Sequence, residues 1–590
     1  MRPTFIGFET ARSALNLNQK ALDIVGHNIA NINTAGYTRQ RVDSAAVATD
    51  TYAARVAQSR TDTAGAGVEL TGIGQTRDAF LDKRFRDEYS SSSYYIQTSD
   101  MLSDIEGSLG DANDISEGGN MVATSLQDIF SSLDTSANEP TSPEHANLVL
   151  SSFTNFTQIL QKINSDLDSV AGQQKYNMDS AIEDVNTSLQ KIADLNKEIS
   201  SDAANALKEG NKDTPNDLLD QRNLQIDNLA SYGNIDLTYE ADGSVTVEMG
   251  GHIAVNGSSF DKLRSKEDNQ TGIVSLLWNS GSGEKDVPQT EDSQKEPLLA
   301  NFSTGALRAY TDVLNGRGKN AGQVNGSTPL QGIPYYKERL NAMARTFAST
   351  VNQIIPVIED PKNPGHALKA EDFSKYTPDE QSKFHQLHDK NGNLVYKQLI
   401  SAKVYEDPQH SGQALSANDY NHLSAEEKSN LKQKSDEHGN YETDSSAIVT
   451  ADNITIDKEW AVGKANYFFS NPGSKTNASY AKELQQAITK DNNNFTSFGE
   501  TFTGSFEDYL MDYTSKVGTD TAYYGNLKDV SSALSNNLMD KRDATSGVQM
   551  DEETTNMLTY QKSYNAAARL MTVLDQMLDK LINGTGTVGL

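Results

Sequence analysis

The sequence predicts a mainly α fold with an inserted β domain (α+β), and two patterns of apolar residues support that prediction. Over long stretches at both ends and through the first half of the chain, apolar residues recur at spacings of three and four, as in packed helices. Between residues 231 and 300 they recur at every second position, as in strands. At 590 residues we expect several parts: a terminal coiled-coil layer, a long-helix bundle, a β domain and an outer insertion.

The first part of the terminal layer, residues 1–45, begins with an apolar seam of heptad spacing. Its positions are Phe8, Ala11, Leu15, Asn18, Leu22, Val25, Ile29 and Ile32. An Asn-rich segment follows, in which Gly36 can adopt the left-handed conformation that ends a helix and redirects the chain. We expect Asn28, Asn31, Gly36 and Tyr37 to form a turn that orients this layer.

The second part of the terminal layer, residues 545–590, carries a seam of the same spacing, which Glu553 interrupts. Its positions are Met550, Met557, Tyr560, Tyr564, Ala567, Met571, Leu574, Leu578 and Leu581. Two seams at opposite ends predict that both termini meet in one coiled-coil layer. On spacing alone, an alternative with about equal weight is that each seam packs on its own neighbouring domain.

Three segments between the termini are predicted to form a helical bundle domain, namely 46–230, 301–356 and 466–544. Residues 42–78 are expected to form an extended segment or hairpin. A helix is expected to begin at Ser142-Pro143-Glu144, where Ser caps, Pro fits the first turn and the acid faces the positive helix end. Asn196 falls on a seam, and we expect it at a water-exposed edge. Further predicted helices cover 80–109, 121–133, 306–314, 335–354, 506–517 and 527–538.

The β domain is predicted over residues 231–300. Ile235, Leu237 and Tyr239 alternate with polar residues, and Asp242-Gly243 then supplies a turn. Alternation resumes from Val245 to Val255, and Ile273 to Trp278 is a further predicted strand.

Residues 357–465 are predicted to be an outer insertion that contains an internal duplication. Residues 357–393 recur as residues 404–440 at a constant offset of 47, with fifteen of thirty-seven positions identical. Thr377 with Glu380, and Ser424 with Glu427, form a capping box in each copy. We expect a surface appendage that assembly does not need, and the open alternative is that the copies bind a ligand.

Composition excludes several classes of function. The net charge of −30 argues against binding nucleic acid. There is no cysteine, so disulfides and thiolate chemistry are excluded. No apolar run is long enough for membrane insertion, and the N-terminus does not have the pattern of a cleaved Sec signal peptide. These features alone would indicate a cytoplasmic protein.

The residues that could carry chemistry do not form a site in the sequence. Most of the histidines lie in the duplicated region, and Lys432 and Ser435 occupy in the second copy the positions of His385 and His388 in the first, so we expect no metal. No phosphate loop, nucleophile elbow or zinc motif occurs, so we expect no catalytic residues, no cofactor and no enzyme activity. The histidines concerned are His366, His385, His388, His410, His422 and His438.

Several motifs resemble the flagellar rod, hook and hook-associated axial family. Those at the N-terminal end are Asn28-Ile29-Ala30-Asn31, Thr34-Ala35-Gly36-Tyr37 and Arg39-Gln40. Similarity to the hook-associated members lies in Gly67–Ile73, Asn216–Arg222, Gly547-Val548, Asp551-Glu552-Glu553, Tyr560-Gln561 and Ala566–Arg569. The chain departs from the family at His27 and Ala35. The region that begins after about residue 356 and precedes the C-terminal motifs shows no resemblance.

This resemblance implies a structural subunit that joins hook to filament at the hook–filament junction. It implies self-assembly into a junction ring, contacts with the hook protein and the next hook-associated protein, and an export chaperone on the C-terminal helix. It also implies an extracellular location in the flagellum, reached through the flagellar type III apparatus without a cleaved signal. The alternative is an exported wall-degrading enzyme or adhesin with flagellar ends. The expected subunit-interface residues are Phe8, Leu15, Leu22, Val25, Asn28, Ile29, Asn31, Ile32, Gly36, Tyr37, Met557, Tyr560, Tyr564, Met571, Leu574, Leu578 and Leu581.

Overall fold

The computed structural model confirms a mainly α fold with several small antiparallel sheets. Its description covers most of the chain from residue 6 to residue 584. The described ranges are 6–47, 67–109, 121–139, 142–209, 215–268, 270–279, 298–319, 322, 324–373, 375–381, 383–410, 412–416, 419–420, 423, 427–428, 430–436, 439–462 and 479–584.

Long helices dominate the chain, and one of them runs for 67 residues from the predicted Ser142-Pro143 start. The helices are α1 (Ile6–Ala30), α2 (Ala79–Leu109), α3 (Met121–Asn138), α4 (Pro143–Glu209), α5 (Asn216–Tyr232), α6 (Ala306–Asn315), α7 (Ile333–Val351), α8 (Ala370–Phe373), α9 (Pro378–Gln381), α10 (Lys458–Val462), α11 (Ser479–Thr489), α12 (Phe506–Ser546) and α13 (Met550–Gly584).

The strands pair in small antiparallel sheets. They are β1 (Gln40–Ala46), β2 (Val68–Gln75), β3 (Ile235–Tyr239), β4 (Val245–Met249), β5 (His252–Asn256), β6 (Ser259–Phe260), β7 (Lys262–Glu267), β8 (Val274–Asn279), β9 (Leu298–Leu299), β10 (Ile400–Lys403), β11 (Thr443–Asp444), β12 (Ile454–Ile456), β13 (Asn493–Ser497) and β14 (Glu500–Gly504). The sheets are β1-β2, β3-β4-β5-β6, β7-β8-β9, β11-β10-β12 and β13-β14. The predicted strands at 235–255 and 273–278 are therefore confirmed. Within 42–78, predicted as an extended segment or hairpin, the described residues pair as two antiparallel strands, and residues 48–66 lie outside the described residues.

Helix α12 is one helix of 41 residues where the sequence predicted two. The predicted break contains Gly518 and Gly525, which lower helix propensity. Packing against α2 overrides that propensity, because a Cβ on Gly525 would lie 3.9 Å from Ser99 Oγ.

The hydrophobic core extends from the bundle into the region predicted as an outer insertion. Phe153 of α4 packs against Phe347 of α7, with ring centroids 5.5 Å apart, and against Trp460 of α10, at 5.3 Å. Ile400 and Ile454 are also buried in this core. The boundary at residue 357 is therefore not a boundary of the core, because β10, β12 and α10 return to pack on α4 and α7.

Asparagine side chains attach extended segments to helices at five places in the described chain. In each pair the side-chain amide donates to the carbonyl of one residue and accepts from the N–H of the same residue, at 2.7–3.0 Å. Each asparagine lies on a helix or directly after one. The pairs are Asn28–Gln40, Asn186–Leu263, Asn196–Val245, Asn315–Val274 and Asn352–Ile400. We call these contacts asparagine clamps.

The expectation that Asn196 lies at a water-exposed edge is wrong. Asn196 is fully buried, and its amide also donates to the carbonyl of Gly257 and accepts from Arg222. Together with the two bonds to Val245, these contacts use both N–H groups and both lone pairs of the amide. The β domain covers this turn of α4, and sequence periodicity could not show that cover.

The duplication at 357–393 and 404–440 is also a structural one. The bridges Ile358–Gln386, Glu359–Ala367 and His388–Leu394 in the first copy recur as Tyr405–Gln433, Glu406–Ala414 and Ser435–Tyr441 in the second. Half of the predicted capping box forms in the first copy, where the Glu380 side chain accepts from the Thr377 N–H at 2.7 Å and from the Thr377 hydroxyl at 2.8 Å. Ser424, His422 and His438 lie outside the described residues.

The two copies differ in how they contribute to the core. The first copy places Ile358, Leu368 and Phe384 in it. In the second copy, none of the described residues between 404 and 443 is buried.

None of the helices that the structure describes combines the length and apolar character needed to cross a bilayer.

Candidate assembly site at the paired termini

Helices α1 and α13 pack against each other in antiparallel orientation. Gly7, near the start of α1, lies against Leu574 near the end of α13, where an added Cβ would come within 3.3 Å of the leucine side chain. At the other end of the pair, Asn28 of α1 contacts Glu553 of α13. The two ends of the chain are thus neighbours in the folded subunit.

The predicted interface residues differ in burial: some are buried, some are partly buried and some are exposed. Val25 and Asn28 are buried, whereas Gly36, Met557 and Leu581 are exposed. Ala21 and Ile24 are also buried in the pair, although the predicted seam did not include them. The partly buried residues are Phe8, Leu15, Leu22, Ile29, Asn31, Ile32, Tyr37, Tyr560, Tyr564, Met571, Leu574 and Leu578.

A second apolar stripe on α13 is about half exposed among the described residues. It consists of Leu570, Val573, Met577 and Leu581, whose spacing of three and four places them on one face of the helix. These side chains are 46–63% exposed. We call this set the outer stripe. It lies beside the partly buried Met571, Leu574 and Leu578, so α13 presents apolar surface in two directions.

The joint between the termini is built around the asparagine clamp of Asn28. Its Nδ2 donates to the Gln40 carbonyl at 2.9 Å and to Glu553 Oε2 at 3.2 Å. Its Oδ1 accepts from the Gln40 N–H at 3.0 Å and from the Tyr37 hydroxyl at 2.7 Å. As in Asn196, all four hydrogen-bonding positions of the amide are used, so a change in any one partner leaves a buried polar group unsatisfied.

Glu553 does not interrupt the C-terminal seam, as the sequence suggested, but anchors it. Its side chain is 1% exposed, and Oε1 accepts from Arg39 Nε at 2.7 Å. Arg39 also binds the exposed Glu552 at 2.7 Å, and its backbone N–H donates to the Ser546 carbonyl at 2.9 Å. A buried carboxylate needs such partners. Arg39 therefore ties β1 to both the end of α12 and the start of α13.

The predicted turn connects this joint to the helical bundle. Gly36 has φ of 78°, and an added Cβ would lie 3.1 Å from Leu224 of α5, so both the backbone conformation and the tight contact favour glycine here. Asp220 of α5 accepts from the Thr38 N–H at 3.1 Å and from Gln75 of β2 at 2.8 Å. Helix α5 thus contacts the turn, the Thr38 backbone that leads into β1, and strand β2.

Burial raises the pKa of two groups in this joint. Burial, with the nearby Asp220 carboxylate, raises the pKa of Tyr37. The Tyr37 hydroxyl therefore stays neutral and donates its proton to Asn28 at physiological pH. Burial also raises the pKa of Asp220, against the hydrogen bonds from Thr38 and Gln75, which lower it.

Sequence reasoning missed three members of the joint, namely Arg39, Asp220 and Glu553. All three lie within motifs that carried the family resemblance, Arg39-Gln40, Asn216–Arg222 and Asp551–Glu553. The available signal was the presence of charged residues in those motifs beside apolar seams.

The arrangement of the joint has a mechanical role: it fixes the direction of the terminal pair relative to the bundle. The described residues contain no group of three His, Asp or Glu side chains placed to hold a metal ion.

Three family models match parts of the chain. "Flagellar hook-associated protein FlgK helical domain" matches residues 112–355. "Flagella basal body rod protein" matches residues 8–38, which include most of α1 and the turn. "Flagellar basal body rod FlgEFG protein C-terminal" matches residues 542–584, which include α13.

Whole-chain relatives carry the same name. Flagellar hook-associated protein 1 of Bacillus subtilis (strain 168) is 27% identical over 609 aligned residues, which span 100% of both chains. The protein of that name from Salmonella typhimurium is 24% identical over 97% of this chain and 98% of the relative. A solved structure, described as the flagellar hook junction protein FlgK from Burkholderia pseudomallei, is 13% identical, with a TM-score of 0.49 over 78% of this chain and 99% of the other.

The first prediction uses the two glutamates that bind Arg39. We expect Glu553→Ala to destabilise the joint by roughly 1.5–3 kcal/mol, because it leaves Arg39 and Asn28 without a buried acceptor. Hydrogen exchange of the α1 amides from residue 21 to residue 30 should become at least about tenfold faster.

Glu552→Ala is the matched control, because Glu552 binds the same arginine from an exposed position. We expect it to cost less than about 1 kcal/mol. Equal effects of the two substitutions on exchange would show that the buried carboxylate does not anchor the joint.

Proposed function

We propose a function from the premise that the chain belongs to the family of flagellar hook-associated protein 1: it is a structural subunit of the bacterial flagellum that joins hook and filament at their junction. The observation that carries this is the antiparallel pair of α1 and α13, which lies within the two rod-protein matches and is fixed to the bundle by the Asn28 joint. As a flagellar axial protein, the chain assembles with other axial components.

The terminal pair is proposed to form the inner, coiled-coil layer of the assembled junction. In α13 only Glu553 and Ala567 are buried, so the pair by itself buries little apolar surface. A neighbouring copy that covers the outer stripe would add roughly 1 kcal/mol for each of its half-exposed side chains. This gain depends on assembly, and it explains why a stripe of this kind is left open in the single subunit.

The rest of the chain is proposed to lie in successive outer layers. Residues 1–45 and 545–590 form the inner layer; 46–230, 301–356 and 466–544 form the bundle domain; 231–300 form the β domain. Residues 357–465 lie farthest out, with β10, β12 and α10 as their attachment to the bundle. Residues 1–45 and 545–590 together are nearly neutral, so the acidity lies in the outer parts, which suits a solvated surface.

The proposed partners follow from this arrangement. The subunit self-assembles into a junction ring, contacts the hook protein on one side, and binds the next hook-associated protein on the other. Before export, a flagellar chaperone covers α13 and its outer stripe, since exposed apolar helix faces of this kind associate without cover. Export proceeds through the flagellar type III apparatus without a cleaved signal, and the final location is extracellular. The proposed role is purely structural, without catalysis; turnover of peptidoglycan by the purified chain would contradict it.

The second prediction separates contacts within the subunit from contacts between subunits. We expect Leu574→Asp to disrupt the α1–α13 pair in the free subunit, because the charge faces Gly7. Met577→Asp lies on the outer stripe, so it should leave that pair intact. Both should abolish junction assembly, scored as filament-bearing cells in a strain that lacks its own junction subunit.

Gln576→Asp, an exposed position between them, is the control and should assemble normally. Exchange protection of α1 in the purified variants reports the pairing within the subunit. Normal filaments with Met577→Asp would show that the outer stripe is not a contact between copies.

The third prediction concerns the two copies of the duplication. Lys403 and Thr443 are antiparallel partners, so a four-residue Gly/Ser turn in place of residues 405–441 would close a hairpin between them. No described residue in that segment is buried. We expect the shortened protein to be exported and to support normal filaments and swimming.

The corresponding change in the first copy replaces residues 358–394 between the partners Pro356 and Tyr396. It removes the buried Ile358, Leu368 and Phe384, so we expect a loss of stability of several kcal/mol. Loss of filaments after removal of the second copy, in cells that still export the protein, would place that copy in the axial lattice.

A further inference from the structure

A cleft of about 520 Å³ separates the second copy from helix α4. One wall is the face of α4 that carries Thr154, Gln158 and Gln161. The other wall is made by the second copy and the strands beside it, and it includes Gln433 and Tyr441. The volume falls in the range of small-molecule sites, roughly 300–1,000 Å³.

The charge of this cleft is opposite to that of the chain. Acidic residues number 81 in the 590 of the chain, and the net charge is −30. The described lining nevertheless contains two lysines, Lys403 and Lys458, and no carboxylate side chain. Lys403 Nζ donates to Gln161 Oε1 at 2.6 Å, which fixes it against the α4 wall. Two carboxylates lie behind this lining, since Asp457 accepts from Thr443 at 3.1 Å and Asp452 interacts with Lys403. The lining itself nevertheless favours an anionic group more than the acidic surface of the chain does.

The polar groups of the cleft are available to a ligand. The side chains of Gln158, Gln433 and Thr455 make no hydrogen bond within the described chain. They supply two amides and a hydroxyl, each of which can both donate and accept. Tyr441, at 62% exposure, presents an apolar ring with a polar tip at the cleft mouth. Neutral groups that can both donate and accept hydrogen bonds, beside an exposed aromatic ring, match the hydroxyl groups and the C–H faces of a sugar.

The first copy lacks this combination. At the offset of 47, Pro356 takes the place of Lys403 and Leu394 takes the place of Tyr441. Gln386, the counterpart of Gln433, is hydrogen-bonded to Tyr480 of α11. In the first copy, the glutamine is thus already bonded within the chain, and this copy contributes to the core. The second copy borders an open cleft, and none of its described residues is buried.

We propose that the cleft between α4 and the second copy binds an acidic saccharide. The amides and hydroxyls bind the sugar hydroxyls, the Tyr441 ring packs against a ring face, and Lys458 with Lys403 binds the carboxylate. This goes beyond the junction role and does not depend on it, since the cleft lies away from the paired termini.

The test is calorimetric titration of the full chain with a galacturonic acid tetramer, with neutral maltotetraose and inorganic phosphate as comparison ligands. We expect saturable binding of the uronate tetramer, at least about tenfold tighter than that of maltotetraose. Lys458→Gln should weaken uronate binding about tenfold, and Tyr441→Ala should weaken it by a similar factor. Both positions are exposed, so the fold should be unaffected.

Controls come from the first copy. Lys390→Gln removes an exposed lysine that does not line the cleft, and Leu394→Ala changes the counterpart of Tyr441; both variants should bind like the unmodified chain. The proposal is overturned by absence of saturable uronate binding, by equal affinity for maltotetraose, by phosphate binding with the same affinity as the uronate, or by uronate binding that Lys458→Gln and Tyr441→Ala leave unchanged.

Discussion

The asparagine clamp is the contact on which the arrangement of helices and strands depends. A side-chain amide has the same donor and acceptor as a peptide unit, so it can complete the pairing of a strand residue that has no neighbouring strand on that side. Two bonds to one residue fix both the position and the direction of the strand on the helix. At Asn28 and Asn196 the remaining lone pair and N–H bind further groups, so each of these asparagines joins three or more segments.

The Asn28 clamp differs from the other clamps because it lies where the two terminal helices meet, and it therefore connects both of them to the rest of the subunit. Through Gln40 it holds β1, through Glu553 it holds α13, and through Tyr37 it holds the turn. Asp220 then attaches the same turn to α5. A force on the terminal pair is therefore passed to the bundle through hydrogen bonds of fixed direction. A subunit between a hook and a filament needs such a connection, and apolar packing alone does not supply a direction.

The features that the sequence predicted are those that periodicity determines. The terminal seams, the strands from Ile235 to Val255 and the duplication all depend on local spacing, and each appears in the structure. The features it missed depend on contacts between distant segments. Glu553 is a charged residue within an apolar pattern, and its burial is favourable only because Arg39 and Asn28 lie beside it in the folded chain. Asn196 looked like an edge residue because the strand that covers it lies 49 residues away.

For the same reason, the sequence could not predict that α12 is one continuous helix, or that only the first of the two copies contributes buried residues to the core. Two glycines lower helix propensity in α12, and the opposing α2 outweighs them. The copies share a pattern of residues, yet Phe384 of the first copy is buried in the core and Leu431, its counterpart in the second copy, is not buried. Which copy joins the core depends on contacts with distant segments, such as that of Gln386 with Tyr480 of α11, and local sequence does not show such contacts.

The most direct test of this account is the assembly of a chain with Asn28→Asp. This change preserves size but removes the donor to Gln40 and places a second carboxylate beside Glu553, at a cost of at least about 3 kcal/mol. We predict that cells relying on this variant export it and form no filaments, while Asn33→Asp, an exposed asparagine in the same turn, forms them normally. Filaments at the normal level with Asn28→Asp would contradict the claim that the clamp at the joint orients the terminal pair.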